Sequence, residues 1–212
     1  AVAKAAMDSG IATRPIEDFK AYRQKLSEFV YNSAFIMKPV FAQAKAAPNK
    51  RVVFCEGEDE RVLRAVQIVV DEGLAFPLLV GRAEDINKQI QKLGLRIRAG
   101  QDFTLIDQDH LPNYEKYCTY YHEIMCRRGI GLELAMREVR RRTTLIGALL
   151  VHFGEADGMI CGTFGHFHLH LDFVEQVIGL NKNAQNFYAM NVLMGEDRNM
   201  FIADTYVNPE PT

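Results

Sequence analysis

The segment from Arg51 to Arg64 constrains the fold more than any other part of this 212-residue chain. It begins with the short apolar run Val52 to Cys55 and continues through the turn Glu-Gly-Glu-Asp into an amphipathic pattern. A short apolar run that leads directly into helical periodicity is typical of a buried parallel strand followed by a helix. The segment therefore predicts the first strand and helix of an α/β domain.

The same alternation continues towards the C-terminal end of the sequence. Apolar runs and amphipathic stretches predict strands at 77–80, 103–107, 158–161, 187–193 and 200–203, and helices at 59–72, 84–93 and 166–178. A helical block at 113–153, broken at 129–131 and at 143–144, separates the third and fourth strands. This alternation predicts an α/β fold with a three-layer, doubly wound and mostly parallel sheet.

The residues before the first strand have helical periodicity instead. Residues 1–10 are predicted to be the end of a small-residue helix, and Pro15 breaks that pattern. From Ile16 to Lys45 apolar residues recur at mostly helical spacing, which predicts a helix pair with a kink or break at Pro39. A turn-rich joint at 46–50 then predicts a domain boundary near Pro48.

Charge and hydropathy exclude several classes of partner. The formal net charge of -2 provides no field that would attract nucleic acid or an anionic membrane to the whole surface. No apolar run approaches the length of a membrane span, and residues 1–10 lack the features of a signal peptide. We therefore expect a cytoplasmic location without nucleic-acid or membrane partners. The four cysteines form no CxxC pair and are expected to be reduced, buried thiols, at Cys55, Cys118, Cys126 and Cys161.

The turn that follows the first strand carries three carboxylates around Gly57. Carboxylates suit the positive end of a helix but would repel a phosphate group. We therefore expect helix-start chemistry around a conformationally free glycine, in preference to a catalytic role for Glu56 or Glu58.

Three histidines, His166, His168 and His170, alternate with apolar residues. They would share one face of a strand, whereas on a helix only His166 and His170 would share a face. One hypothesis is a metal site completed by Asp172 or Cys161. The favoured hypothesis is a groove in which some histidines donate to an anionic ligand and others cap or pack.

Arginines are concentrated near the end of the helical block, at Arg137 and at Arg140 to Arg142, with Arg127 and Arg128 upstream. A solvated helix face that suits the negative end of the helix dipole explains this pattern. A binding site for the phosphates of a nucleotide-like effector is the alternative.

Four segments resemble, in order, the first part of a phosphate acetyltransferase domain: 53–61, 77–81, 154–162 and 204–212. Residues 1–15 resemble the tail of the catalytic region of bacterial multidomain NADP-dependent malic enzymes, and 22–45 resembles their connecting segment. The resemblance implies three parts: a malic-enzyme tail at 1–15, a helical linker at 16–50, and a truncated phosphotransacetylase-like domain at 51–212.

The resemblance also implies the chemistry of a longer parent. Such a parent would oxidatively decarboxylate malate to pyruvate with NADP and a divalent metal, Mg or Mn, held in an upstream malic-enzyme domain. The transferase-like part would bind acetyl-CoA or a related CoA ester as a regulatory ligand and would support a homo-oligomer. No catalytic residue, cofactor or metal ligand is expected within this chain.

The turn after the fourth strand departs from the pattern of active phosphotransacetylases, which have hydroxyl-rich turns followed by an arginine. Here only Thr163 keeps a hydroxyl, and Phe164 and Phe167 could fill the space that an acyl phosphate needs. Binding without turnover is therefore expected. The implied effector site comprises Cys161, Gly162, Thr163, His166, His168, Arg140, Arg141 and Arg142. The alternatives are a catalytic phosphate acetyltransferase domain, which would move acetyl between CoA and phosphate, and a structural dimerisation module without a ligand.

Overall fold

The structure is a computed structural model that describes residues 2–11, 16, 18–47, 49–195 and 198–208, without the side chains of 2, 3 and 23–36. In chain order the helices and strands are α1 (Val2–Asp8), α2 (Phe19–Ala46), β1 (Arg51–Phe54), α3 (Glu60–Asp71), β2 (Phe76–Gly81), α4 (Ala83–Leu93), β3 (Thr104–Asp107), α5 (Tyr114–Met125), a short 3-10 helix (Cys126–Arg128), α6 (Leu132–Arg141), α7 (Thr143–His152), β4 (Gly158–Ile160), α8 (Phe167–Val177), β5 (Met190–Met194) and β6 (Asn199–Ala203).

These elements form two compact units. The smaller unit contains residues 1–42 and 187–212, and the larger unit contains 43–186. The predicted division of the chain into three parts, with boundaries after residues 15 and 50, stays a prediction. The breaks predicted at Pro15 and Pro48 lie outside the described residues.

The larger unit is built on a parallel four-stranded sheet with the order β3-β2-β1-β4. In β1, Phe54 is paired with Leu79 of β2 on one side and with Ile160 of β4 on the other. The chain therefore winds outward from β1 through β2 to β3, and then returns to place β4 on the opposite side of β1. This arrangement confirms the predicted α/β class with a doubly wound parallel sheet.

Helices cover both faces of this sheet, which gives the predicted three layers. Val53 and Cys55 point to a core that they share with α5, α6, α7 and α8. Phe54 and Leu79 point to the opposite core, which α3 and α4 complete. Successive side chains of a strand alternate between faces, so one short apolar run supplies both cores.

Three sequence-based expectations need correction. The helix pair predicted at 16–45 is one continuous helix, α2, with Pro39 inside it. The predicted break is therefore wrong, because a proline removes only one backbone donor and the bonds on either side can carry the helix past it; the kink stays a prediction. The last two predicted strands form a separate antiparallel pair, β5 with β6, within the smaller unit. Cys126 is exposed, where α5 gives way to the 3-10 helix, and Cys161 is only partly buried, although both were predicted to be buried.

The helical block is divided as predicted near Gly129 to Gly131, and its second break lies at Arg142, next to the predicted position. Within the described part of the chain, no helix is both long and apolar enough to cross a membrane.

Candidate functional site

A cleft of about 330 Å³ lies at the carboxyl ends of the strands of the larger unit. One wall is formed by the turn after β1, and another by the start of α7. The third wall is the segment 164–173, which follows β4 and begins α8. Because β1 is where the strand order reverses, the cleft occupies the position at which doubly wound sheets bind ligands.

Glu56 joins the two strand ends that frame the cleft. Its carboxylate is buried, and it accepts a 2.9 Å hydrogen bond from the backbone N–H of Gly162 and a 3.4 Å hydrogen bond from the Thr163 hydroxyl. Both carboxylate oxygens are therefore engaged by the turn after β4. The sequence predicted only helix-start chemistry here, and it missed this cross-strand role.

The other carboxylates of the first turn act at helix starts, as predicted. Asp59 is the N-cap of α3 and accepts a 2.8 Å hydrogen bond from the backbone N–H of Arg61. Glu58 accepts a 2.9 Å bond from the backbone N–H of Arg82, the N-cap of α4. Gly57 is needed for close approach instead of conformational freedom, because a Cβ there would lie 2.8 Å from the carbonyl oxygen of Val80.

His170 ties the turn after β4 to the start of α7. Its Nε2 lies 2.8 Å from the carbonyl oxygen of Phe164, and its Nδ1 lies 2.7 Å from the hydroxyl oxygen of Thr144. Since a carbonyl can only accept, we assign the proton to Nε2, so that in a neutral ring Nδ1 accepts from Thr144. The Nδ1 atom is also 3.9 Å from Glu56. Both ring nitrogens are thus engaged within the fold.

Arg61 adds a further tie to this turn. Its guanidinium donates to the carbonyl oxygen of Thr163 at 3.0 Å while it also binds Asp59. The turn from Cys161 to Gly165 is therefore held from β1, α3 and α8 together. Such multiple anchoring keeps a binding surface in one arrangement before a ligand arrives.

The structure separates the predicted effector residues into three groups. Arg141, Arg142 and His166 line the cleft. Gly162 and Thr163 border it through their bonds to Glu56. Outside the cleft lining are Cys161, which packs on the core beside it, His168, which meets the ring of Phe167, and Arg140, whose guanidinium lies 5.1 Å from the ring centre of Tyr114.

Several polar residues of the cleft were not assigned to the effector site by sequence reasoning, among them Glu56, Thr143, Thr144 and His170. The only local signal for the threonines was the predicted helix break, which indeed marks the start of α7. Nothing local indicated that Glu56 and His170 would meet at one site.

The two sides of the cleft differ in charge. Glu56, Glu58 and Asp59 make the β1 side acidic, whereas Arg141 and Arg142 make the α7 side basic. Arg142 also bonds Glu138 at 3.0 Å, while its side chain stays about half exposed. An elongated ligand could place anionic groups near α7 and neutral polar groups near the acidic side.

Within the described part of the chain, no group of three or more His, Cys, Asp or Glu side chains could hold a metal ion.

The Glu58 contact gives a testable pH dependence. Burial acts to raise the pKa of Glu58, but hydrogen bonds from the Arg82 side chain and backbone outweigh it and hold the pKa below its ordinary value. Ionised Glu58 therefore stabilises the folded state above the ordinary glutamate range, and this contribution is lost as the pH falls through the lowered pKa.

We accordingly expect Glu58→Gln to be less stable than the unsubstituted chain at neutral pH. The difference should shrink as the pH falls from about 5 to about 3. Thermal unfolding across this range measures it, with Glu123→Gln as an exposed control. A stability difference that is the same at every pH would contradict the assigned role of Glu58.

Comparison with known proteins identifies the family of this domain. The sequence profile described as "Phosphate acetyl/butaryl transferase" matches residues 35–212. The chain belongs to this family. A crystal structure of a phosphotransacetylase from Streptococcus pyogenes aligns with the transferase-family chain at a TM-score of 0.71 and 27% identity, over 83% of this chain and 54% of that one.

The chain is also similar to part of longer curated relatives. The NADP-dependent malic enzyme of Escherichia coli (strain K12) is 52% identical over 211 residues, and the NAD-dependent malic enzyme of Rhizobium meliloti (strain 1021) is 48% identical over 212 residues. Each match includes the whole chain but only 28% of the relative. The chain thus spans about a quarter of the length of these relatives.

Proposed function

We propose that this chain is the acetyl-CoA-sensing and assembly module of a malic enzyme whose parent oxidatively decarboxylates malate to pyruvate. The observation that carries the proposal is a cleft that is basic beside α7 and whose acid–base groups already form hydrogen bonds within the protein. Glu56 is bonded to Gly162 and Thr163, and His170 is bonded to Thr144 and Phe164. Groups held in this way support a binding surface more readily than proton transfer.

The cleft suits one end of a CoA ester. Its volume of about 330 Å³ lies at the small end of the range for ligand sites, so only part of such a ligand would be enclosed. Arg141 and Arg142 would contact phosphate groups near the start of α7, where backbone N–H groups also favour anions. Gly162, Thr163 and His166 would border the acyl or pantetheine portion.

Regulation would operate through population shift. Acetyl-CoA can inhibit the parent only if it binds one arrangement of the multidomain protein better than another. The coupling must be reciprocal, so ligands that favour the active arrangement would weaken acetyl-CoA binding by the same factor.

The proposed parent would also bind ligands outside this chain. The parent would take NADP and a divalent metal, Mg or Mn, in an upstream malic-enzyme domain, and we place it in the cytoplasm. The NAD-dependent relative at 48% identity supports locating nicotinamide preference outside this module.

The antiparallel pair β5 and β6 supports a role in a homo-oligomer, because it leaves large apolar side chains exposed. These side chains include Met190, Leu193, Met200 and Phe201.

The proposal is tested by isothermal titration calorimetry, in which acetyl-CoA is titrated into the whole parent malic enzyme and into this chain. We expect Arg141→Ala and Arg142→Ala to weaken binding about tenfold each, because a charge-assisted phosphate contact is lost. The matched control is Arg140→Ala, which removes the same charge from the same helix end but from a position against Tyr114.

Equal weakening by all three arginine variants would contradict the assigned site and indicate a general charge effect. If acetyl-CoA did not bind to the parent, the sensing role would be contradicted and assembly would be the only remaining role of the module. The same proteins should be assayed for acetyl phosphate formation from acetyl-CoA and phosphate. Robust turnover would replace the regulatory proposal with the catalytic phosphate acetyltransferase alternative.

A further inference from the structure

Two cysteines lie side by side beneath the turn after β4. Cys55 directly follows β1, and Cys161 directly follows β4. The preceding residues, Phe54 and Ile160, are register partners, and the backbone N–H of Cys55 donates to the carbonyl oxygen of Ile160 at 3.0 Å. Lateral neighbours on paired strands direct their side chains to the same face. Both cysteines accordingly pack on the same core.

The two thiols differ in access to solvent. Cys55 is fully buried, and α7 crosses it so closely that a Cβ at Gly147 would lie 2.5 Å from its sulfur. Cys161 is only partly buried. A hydrogen bond between the thiols lowers the pKa of Cys161, and the same bond together with burial raises the pKa of Cys55. The difference in burial therefore marks Cys161 as the thiol that a dissolved oxidant can reach.

We propose that Cys161 and Cys55 form a peroxide-sensitive thiol pair, in which Cys161 is the reacting cysteine and Cys55 the resolving one. Their roles follow from access, since an oxidant can reach only the partly exposed thiol. Their lateral pairing across two hydrogen-bonded strands keeps the buried thiol within reach of the oxidised one.

The reaction balances with hydrogen peroxide as the oxidant. The Cys161 thiolate attacks one peroxide oxygen, the O–O bond breaks, and the departing hydroxide takes a proton to leave as water, so that a sulfenic acid forms. The Cys55 sulfur then attacks the Cys161 sulfur, the S–O bond breaks, and a second water carries away the oxygen and the Cys55 proton. In total the two thiols lose two protons and two electrons, and hydrogen peroxide becomes two waters.

Oxidation would also alter the neighbouring cleft. The residue after Cys161 is Gly162, whose N–H bonds Glu56, so a new covalent bond at Cys161 would shift the anchored turn. A resulting change in acetyl-CoA affinity rests on the proposed function, whereas formation of the disulfide does not.

Non-reducing peptide mapping tests the pair in the full chain. Cys118 and Cys126 are replaced by serine to leave only the pair, and the reduced protein is treated with hydrogen peroxide and then with iodoacetamide. We expect the mass to fall by two hydrogen atoms, both alkylation sites to be lost, and dithiothreitol to restore them. Cys55→Ser should stop at a dimedone-trapped sulfenic acid on Cys161, whereas Cys161→Ser should leave Cys55 unoxidised over the same time.

Independent oxygen additions at the two sites, or equal oxidation of Cys55 in the Cys161→Ser variant, would overturn the proposal. Mapping of the protein that retains both thiols is decisive even if either single variant folds poorly. Acetyl-CoA titration of the oxidised and reduced forms separates the two ideas: a disulfide that forms in a protein without acetyl-CoA affinity would support the thiol pair while contradicting the effector proposal.

Discussion

Glu56→Leu is expected to destabilise the larger unit by about 3 kcal/mol, because the change leaves buried donors without an acceptor. The backbone N–H of Gly162 and the hydroxyl of Thr163 both bond the Glu56 carboxylate, whose side chain is only 2% exposed. Leucine can fill most of the volume but can accept neither bond. The turn after β4 should therefore loosen, and the cleft should lose its ligand affinity with it.

Chemical denaturation measures the Glu56 effect. Glu56→Gln should cost less than leucine, because the amide oxygen can still accept one of the two bonds. Glu60→Gln is a control four residues along, where the carboxylate is exposed and meets Arg64 on the surface of α3; a change within about 0.5 kcal/mol is expected there. If leucine were tolerated as well as glutamine, the carboxylate would have no role in anchoring the turn.

Gly147→Ala is expected to destabilise the larger unit by about 1–3 kcal/mol through overpacking. In an exposed helix the same change would stabilise the protein, because alanine favours helices by about 1 kcal/mol relative to glycine. Here an added Cβ would lie 2.5 Å from the sulfur of Cys55 and 3.3 Å from the methyl carbon of Met159. Either α7 must move away from the sheet or these side chains must shift.

Gly158→Ala is the matched control, since a Cβ at that strand position would meet no atom within 4 Å. We expect it to be neutral or slightly stabilising, within about 0.5 kcal/mol, because glycine is unfavourable in strands. The double variant Gly147→Ala with Cys55→Ala should recover part of the lost stability, because the clashing sulfur is gone. Equal stability of the two single glycine variants would contradict close packing of α7 on β1.

Gly147 and Glu56 affect both the stability of the larger unit and the shape of the cleft. Gly147 sets the depth at which α7 packs on β1, and Thr143 and Thr144 at the start of α7 form part of the cleft wall. Glu56 sets the position of the opposite wall. A variant at either residue should therefore be compared at a temperature where it is fully folded before its ligand affinity is interpreted.

Local periodicity predicted most of the secondary structure correctly. The apolar run before Glu56, the amphipathic helix α3 and the next strand and helix all followed from spacing alone, because buried strands and amphipathic helices place apolar residues at different periods. The α/β class and the parallel order of the first strands followed from their alternation. The family resemblance added what periodicity cannot supply, and the comparison with known proteins confirmed it.

Local patterns failed where an outcome depended on packing or on distant partners. A break was one of the two outcomes expected at Pro39, yet α2 continues through it. The final two strands were predicted at nearly the right positions, but their antiparallel pairing depends on which strand edge each one meets. Of the arginines that end α6, Arg140 lies on Tyr114 while Arg141 lines the cleft, because each helical residue turns the side-chain direction by about 100°.

The sequence by itself therefore determined most of the elements, the α/β class and the family, because these depend on short-range spacing and on ordered motifs. Only the tertiary structure decided the site. Glu56 and Gly162 are separated by 106 positions in the chain, and no local pattern links them. They meet because the strand order places β4 beside β1, which brings the carboxyl ends of two distant strands to one edge of the sheet.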